Sequence, residues 1–103
     1  GGGELQLCDP ARVRSRFYLR FAMNDEPGTM ARVTECLGRH RIGIESVMQK
    51  ETAHQGGGYV PVVMTTQAAE AGALGAALEE IAALEGTVEG VPTVFRIEDF
   101  SQE

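Results

Sequence analysis

From Ser15 onward, apolar side chains fall at every second position: Phe17, Leu19, Phe21 and Met23 share one face and Arg20 lies on the other. A period of two predicts a half-buried strand. After "NDEPG" the period lengthens, and Met30, Val33 and Leu37 recur at helical spacing through "TMARVTECLGRH". An acidic approach and a basic end suit the dipole of a first helix. "IGIESVMQKE" then predicts a second strand from Ile42 to about Glu51, with the alternation broken around Ser46 and Val47, where a bulge fits. "TAHQGGG" reads as a flexible connection and "YVPVVMTT" as a third strand, with Pro61 near its start because proline cannot donate to a ladder.

From Ala68 to Leu84, Leu74, Leu78, Ile81 and Leu84 make one stripe among alanines and glutamates, which predicts a second helix despite Gly72 and Gly75, with Gly86 suited to a C-cap. "VEGVPTVFRIEDF" supplies a last strand, in which Thr93, Phe95 and Ile97 alternate with Val94, Arg96 and Glu98. The order β-α-β-β-α-β predicts an α+β, ferredoxin-like sandwich: a four-stranded antiparallel sheet with two helices on one face.

A length of 103 residues allows one domain with a modest core, and a hydrophobic fraction of 43% is that of a globular chain. No window approaches the roughly 18 consecutive apolar residues that span a bilayer, so no membrane partner is expected. A net charge of -6 argues against nucleic acid, which is bound through clustered Lys and Arg. An RNA-binding sheet would also need exposed aromatics, whereas the alternation assigns most of Phe17, Tyr18, Phe21, Tyr59, Phe95 and Phe100 to the core. Small molecules and proteins remain as partners.

Cys8 and Cys36 form neither a CxxC pair nor a set of four zinc ligands, so no metal site is expected, and the reducing cytoplasm is the expected compartment. "GGGELQLCDP" lacks a basic region ahead of an apolar stretch and does not read as a signal peptide; Gly1 to Gly3 suit a linker or an artificial extension. His40 and His54 have no partner at metal or triad spacing and read as a solvated helix end and a loop tip. Cys36 reads as a packed helix residue. No catalytic residues are assigned.

The turn "NDEPG" carries the candidate chemistry. Pro27 holds Glu26 extended and Gly28 permits close backbone approach, so the chain turns sharply into Thr29. Free N–H groups and the positive dipole end at a helix start suit a carboxylate, while the side-chain oxygens of Asn24 and Asp25 suit an ammonium. The loop can hold both ends of an α-amino acid; equally, Asp25 or Thr29 can cap the helix and Pro-Gly can simply turn the chain. Gly43, between two β-branched residues in "HRIGIES", leaves space at the entry to the second strand or merely ends the first helical region.

The run "RFYLRFAMNDEPGTMARVTECLGRHRIGIESVMQKE" followed by "VPVVMTT" closely resembles an ACT domain, the small βαββαβ amino-acid-sensing module attached to many metabolic enzymes. The resemblance covers about Ser15 to Asp99, leaving residues 1–14 as a linker or tail from a preceding catalytic region and 100–103 as a C-terminal tail. More narrowly, "VRSRFYLRF", "SVMQKE" and "VPVVMTT" resemble the C-terminal regulatory domains of bacterial homoserine dehydrogenases, NAD(P)-dependent enzymes of threonine and methionine biosynthesis. No GxGxxG opens a βαβ unit here, so NAD(P) and oxidoreductase activity would belong to the catalytic domain of a larger parent, and no cofactor is expected in this domain.

The resemblance implies a ligand carboxylate near the backbone of Gly28, Thr29 and Met30, an ammonium near Asn24 or Asp25, and a pocket closed by Ile42, Gly43 and Ile44 of a second copy. Glu26 stands where the family frequently has a basic or neutral residue. The expected function is allosteric sensing of an amino acid such as L-threonine by a homodimer joined through its sheet edges. The alternatives are a ligand-free dimerisation module and the ACT domain of another amino-acid metabolic enzyme.

Overall fold

The computed structural model describes residues 9–49 and 58–98. A 3-10 turn, Pro10–Arg12, precedes strand β1 (Arg14–Asn24), helix α1 (Thr29–Arg39), strands β2 (Ile44–Gln49), β3 (Tyr59–Thr66) and β4 (Ala69–Glu70), helix α2 (Ala71–Ala83) and strand β5 (Val88–Ile97). The expected order holds, and the antiparallel sheet runs β2-β3-β1-β5. The sheet has five strands rather than four: two-residue β4 pairs Ala69 with Ser15 and Glu70 with Arg14 at the start of β1. The second helix therefore begins at Ala71, not Ala68, and its first amide donates to Val13 O at 3.0 Å.

Alternation decides which side of the sheet is covered. Phe17, Leu19, Phe21 and Met23 of β1 and Val60, Val62 and Met64 of β3 are buried. They pack with Val33, Cys36 and Leu37 of α1 and with Leu74, Ala77 and Ile81 of α2. Each large apolar side chain so buried stabilises the fold by about 1.5–3 kcal/mol. On α2 the buried stripe runs through Ala77, while Leu78 and Leu84 are only half-buried, a shift from the expected stripe. Ala77 leaves room for α1: the Cys36 thiol donates to its carbonyl at 3.6 Å.

The open face differs from expectation. Phe95 pairs with Tyr18 in the ladder and Val94 with Leu19, which turns Phe95 away from the helices; it is 61% exposed and its ring centroid lies 5.9 Å from that of Tyr18. Of the described aromatics, only Phe17 and Phe21 are buried, and Tyr59 is exposed. Most of the described aromatics therefore lie outside the core, contrary to the expectation from alternation, and only the net charge of -6 speaks against RNA on this sheet.

Local irregularities follow the sequence. Ile44 pairs with Thr66 and Ser46 with Thr65, so the β2 bulge falls at Glu45, one residue before its expected place. Pro61 sits inside β3 opposite Ala22, and the β2 ladder reaches only Val62 among the described residues, so Pro61 lies beyond it. In β5, Gly90, Val91 and Pro92 bulge out between the pairs Glu89–Ala22 and Thr93–Arg20, with Gly90 at φ 71°. The "TAHQGGG" connection up to Gly57, the end of the second strand beyond Gln49, His54, residues 1–8 of the first tail with Cys8, and residues 99–103 with Phe100 lie outside the described residues.

Candidate functional site

The turn from β1 into α1 is tied down on three sides. Asn24 ends β1; its amide donates to Thr87 O at 2.8 Å, its Nδ2 donates to Gly86 O at 2.7 Å, and its Oδ1 accepts from the Glu26 amide at 3.1 Å. Asp25 donates its amide to Gly58 O at 3.0 Å and accepts at Oδ1 from Gln49 Nε2 at 3.3 Å. Thr29 closes the turn by donating to Glu26 O at 3.3 Å. The side chain of Asn24 is thus used to brace the loop, whereas that of Asp25 is exposed and, among the described residues, held by one long bond from the neighbouring edge strand.

Gly28 is the N-cap of α1, in the left-handed region at φ 89° and ψ -14°, and no side chain caps the helix. Neither Asp25 nor Thr29 therefore performs the capping that was one reading of this turn. A Cβ on Gly28 would meet nothing nearer than Arg32 Nη1 at 3.9 Å, so the backbone angle, not crowding, calls for glycine. Arg32, on the next turn, brings a guanidinium over this end of the helix. The first-turn amides of Met30 and Ala31 have no intrahelical acceptor, as at any helix start. Thr29 is buried and its hydroxyl has no hydrogen-bond partner among the described residues.

Beside the turn is a hollow of about 50 Å³ with Met23, Val60 and Val62 as its floor and Asn24, Asp25 and Gln49 at its rim. That volume suits a few waters, not an amino acid. Ile42, Gly43 and Ile44 are elsewhere: Ile44 pairs with Thr66, whereas Asn24 pairs with Tyr59 at the other end of β3. Seven residues of strand separate them by roughly 23 Å. Ile42 is buried in the core, and Gly43 O accepts from the Gln67 amide at 2.9 Å. A side chain on Gly43 would strike Gln67 Oε1 at 2.6 Å. One chain therefore gathers Asn24, Asp25, Gly28, Thr29 and Met30, and holds the second predicted segment at the far end of the same sheet.

Gln49 and Arg32 went unassigned in the sequence. Gln49 reaches the turn only through the antiparallel register that sets it opposite Val62. Arg32 could have been found, because it lies four residues after Gly28 on the helix that the periodicity predicts.

A family model described as ACT domain matches residues 17–83. The chain belongs to the ACT domain family. Among its relatives is a homoserine dehydrogenase of Pseudomonas aeruginosa, 37% identical over 97 residues that make up 94% of this chain and 21% of the relative. Another, from Synechocystis sp., is 35% identical over 83 residues, 81% of this chain and 18% of the relative. The chain spans about a fifth of the length of these relatives. The crystal structure of a homoserine dehydrogenase from Thiobacillus denitrificans superposes with a TM-score of 0.76 at 28% identity, covering 91% of this chain and 20% of that one. The regulatory subunit of aspartate kinase from Thermus thermophilus shares the fold, with a TM-score of 0.57 at 20% identity over 80% of this chain and 53% of that one. The turn at Asn24–Gly28 falls inside the span that the ACT family model matches.

A second polar cluster lies at the other end of α1. His40, read from sequence as a solvated helix end, is half-buried, and its Nε2 lies 2.8 Å from Glu80 Oε1 on α2. Arg39 Nη1 holds the other oxygen, Glu80 Oε2, at 2.6 Å. Hydrogen bonds from His40 and Arg39 hold the Glu80 carboxyl below its ordinary range, while burial and the nearby Glu80 charge push the Cys36 thiol up.

Proposed function

We propose that this ACT domain is the amino-acid-sensing regulatory module of a homoserine dehydrogenase, with L-threonine the first ligand to test. Its parent would be an NAD(P)-dependent oxidoreductase of threonine and methionine biosynthesis, cytoplasmic and under feedback control. The single observation that carries the reading is the start of α1: a glycine cap at φ 89° without a side-chain cap, beside an exposed Asp25 carboxylate. The helix start suits the ligand carboxylate and Asp25 its ammonium. Arg32 offsets the negative charge of Glu26 next to that carboxylate.

The small hollow in one copy calls for a second. β2 is an exposed edge, with Val47 45% and Met48 64% accessible, and an apolar edge invites pairing. Two β2 strands running antiparallel would extend both sheets and carry Ile42, Gly43 and Ile44 of one copy toward the turn of the other. Each of two equal sites would then have two walls. Binding would favour one arrangement of the pair and thereby bias the attached catalytic domains.

One observation favours a module that only pairs. Asn24 spends both ends of its side chain on the fold, and Asp25 already accepts from Gln49. Calorimetry against threonine, methionine, isoleucine, lysine and serine separates the two readings. Saturable heat with one amino acid supports the sensor; none with any of them, for a chain that still pairs, supports the dimeriser.

A further inference from the structure

Cys36 is on the last turn of α1 and His40, four residues on, is the helix's C-cap, whose amide donates to Cys36 O at 3.3 Å and so holds the two residues one turn apart. Glu80, on the facing helix α2, completes a group whose sulfur, ring nitrogen and carboxylate oxygen all lie within 4.8 Å of one another. We propose that these three side chains form a site for a zinc-class divalent cation, with water as the fourth ligand, that clips α1 to α2.

The donor set selects the ion. A thiolate with an imidazole suits Zn²⁺ or Co²⁺, whereas Mg²⁺ and Ca²⁺ take oxygen alone. Zinc bonds of about 2.0–2.3 Å in a tetrahedron set their donors roughly 3.5 Å apart, so His40 Nε2 and Glu80 Oε1, now 2.8 Å apart, open by under an ångström to admit the ion while the Cys36 sulfur, within 4.8 Å of both, draws in by about as much.

The surroundings are those of a ligand set as well. Arg39 holds Glu80 Oε2 and is itself 3.4 Å from Glu35, which leaves Glu80 Oε1 directed at His40. Outer partners of this kind orient ligating carboxylates. Cys36 is fully buried and forms the floor, while His40 and Glu80 are half-exposed and open a path from solvent. Cation binding replaces the S–H bond of Cys36 with a metal–sulfur bond and releases that proton to solvent; the cation takes the place of the hydrogen between His40 Nε2 and Glu80 Oε1, and a neutral imidazole then carries its single N–H proton on Nδ1, any second proton leaving to solvent. The amino-acid site is at the opposite end of α1, so the two proposals stand or fall separately.

The test uses the 103-residue chain, reduced and stripped of metal with a chelator, then titrated with Zn²⁺ by calorimetry and with Co²⁺ by absorbance. The expected result is one equivalent bound, a near-ultraviolet thiolate-to-cobalt band, a raised melting temperature and no response to Mg²⁺. Cys36→Ser removes the band. Glu80→Gln, at a half-exposed position that leaves the core intact, weakens Zn²⁺ at least about tenfold. Absence of saturable one-to-one binding overturns the site. So does affinity unchanged in both variants, which would place the zinc on other donors such as Cys8 or His54.

Discussion

Gln49 of the edge strand β2 donates from Nε2 to Asp25 Oδ1 at 3.3 Å and so joins the turn before α1 to the edge on which a second copy would pair. The bond is long and exposed, so an incoming ammonium can replace it. Asp25→Ala is expected to weaken amino-acid binding by about 1–3 kcal/mol, the range for a hydrogen bond to a charged group. Gln49→Ala frees the carboxylate and should leave affinity equal or higher. Calorimetry on both variants checks this; equal loss from both would assign the ligand contact to the Gln49 side.

Gly28 is expected to be needed by the backbone. Gly28→Ala places a Cβ no nearer than 3.9 Å to Arg32 Nη1 but at φ 89°, at a cost of about 1–2 kcal/mol of stability. Urea unfolding should show a lower midpoint with an unchanged slope. An unchanged midpoint would mean that the turn adopts another conformation.

The fold and the edge can be separated by mutation. Leu37, fully buried on α1, should cost about 2–5 kcal/mol on change to alanine. Met48, exposed on β2, should change stability within about 0.5 kcal/mol on change to serine while weakening pairing. Light scattering over a concentration series reads the second effect, and a Met48→Ser chain that pairs like the parent would move the interface away from β2.

Glu45, at the β2 bulge, accepts from Arg16 across β3 and from Thr65, and the Arg16 hydrogen bond holds its carboxyl below the ordinary 4.5. A depressed carboxyl contributes stability that is present above its unfolded-state value and is lost as pH falls through the lower folded value. Solvent screens this exposed pair, so the effect is small and confined to pH below about 4.5. Carboxyl NMR titration should find Glu45 below its ordinary value and returning to it in Arg16→Gln. A Glu45 that titrates normally in the unaltered chain would remove the effect.

Much of the fold was legible because its signals are local. β1 and β3 alternate cleanly over Phe17–Met23 and Val60–Met64, and α1 keeps its stripe through Val33 and Leu37. The misses have non-local causes. Phe95 reads as core until its pairing with Tyr18 sets it on the open face, and Ala69–Glu70 reads as helix until β1 recruits it as a strand. The turn was legible as a candidate site from proline, glycine and acidic residues in sequence. Gln49 at its rim, and the meeting of His40 with Glu80 forty residues on, depend on register and helix packing.

In one chain, Asp25–Met30 and Gly43–Ile44 lie at opposite ends of the sheet, too far apart for one small ligand to touch both. Amide NMR during a threonine titration therefore reads out a shared two-copy site. Both segments are expected to shift together, with one affinity and one ligand per chain, at concentrations where the chain is paired. No shift in either segment with threonine or any other amino acid, or shifts at the turn alone in a chain that stays monomeric, would contradict it.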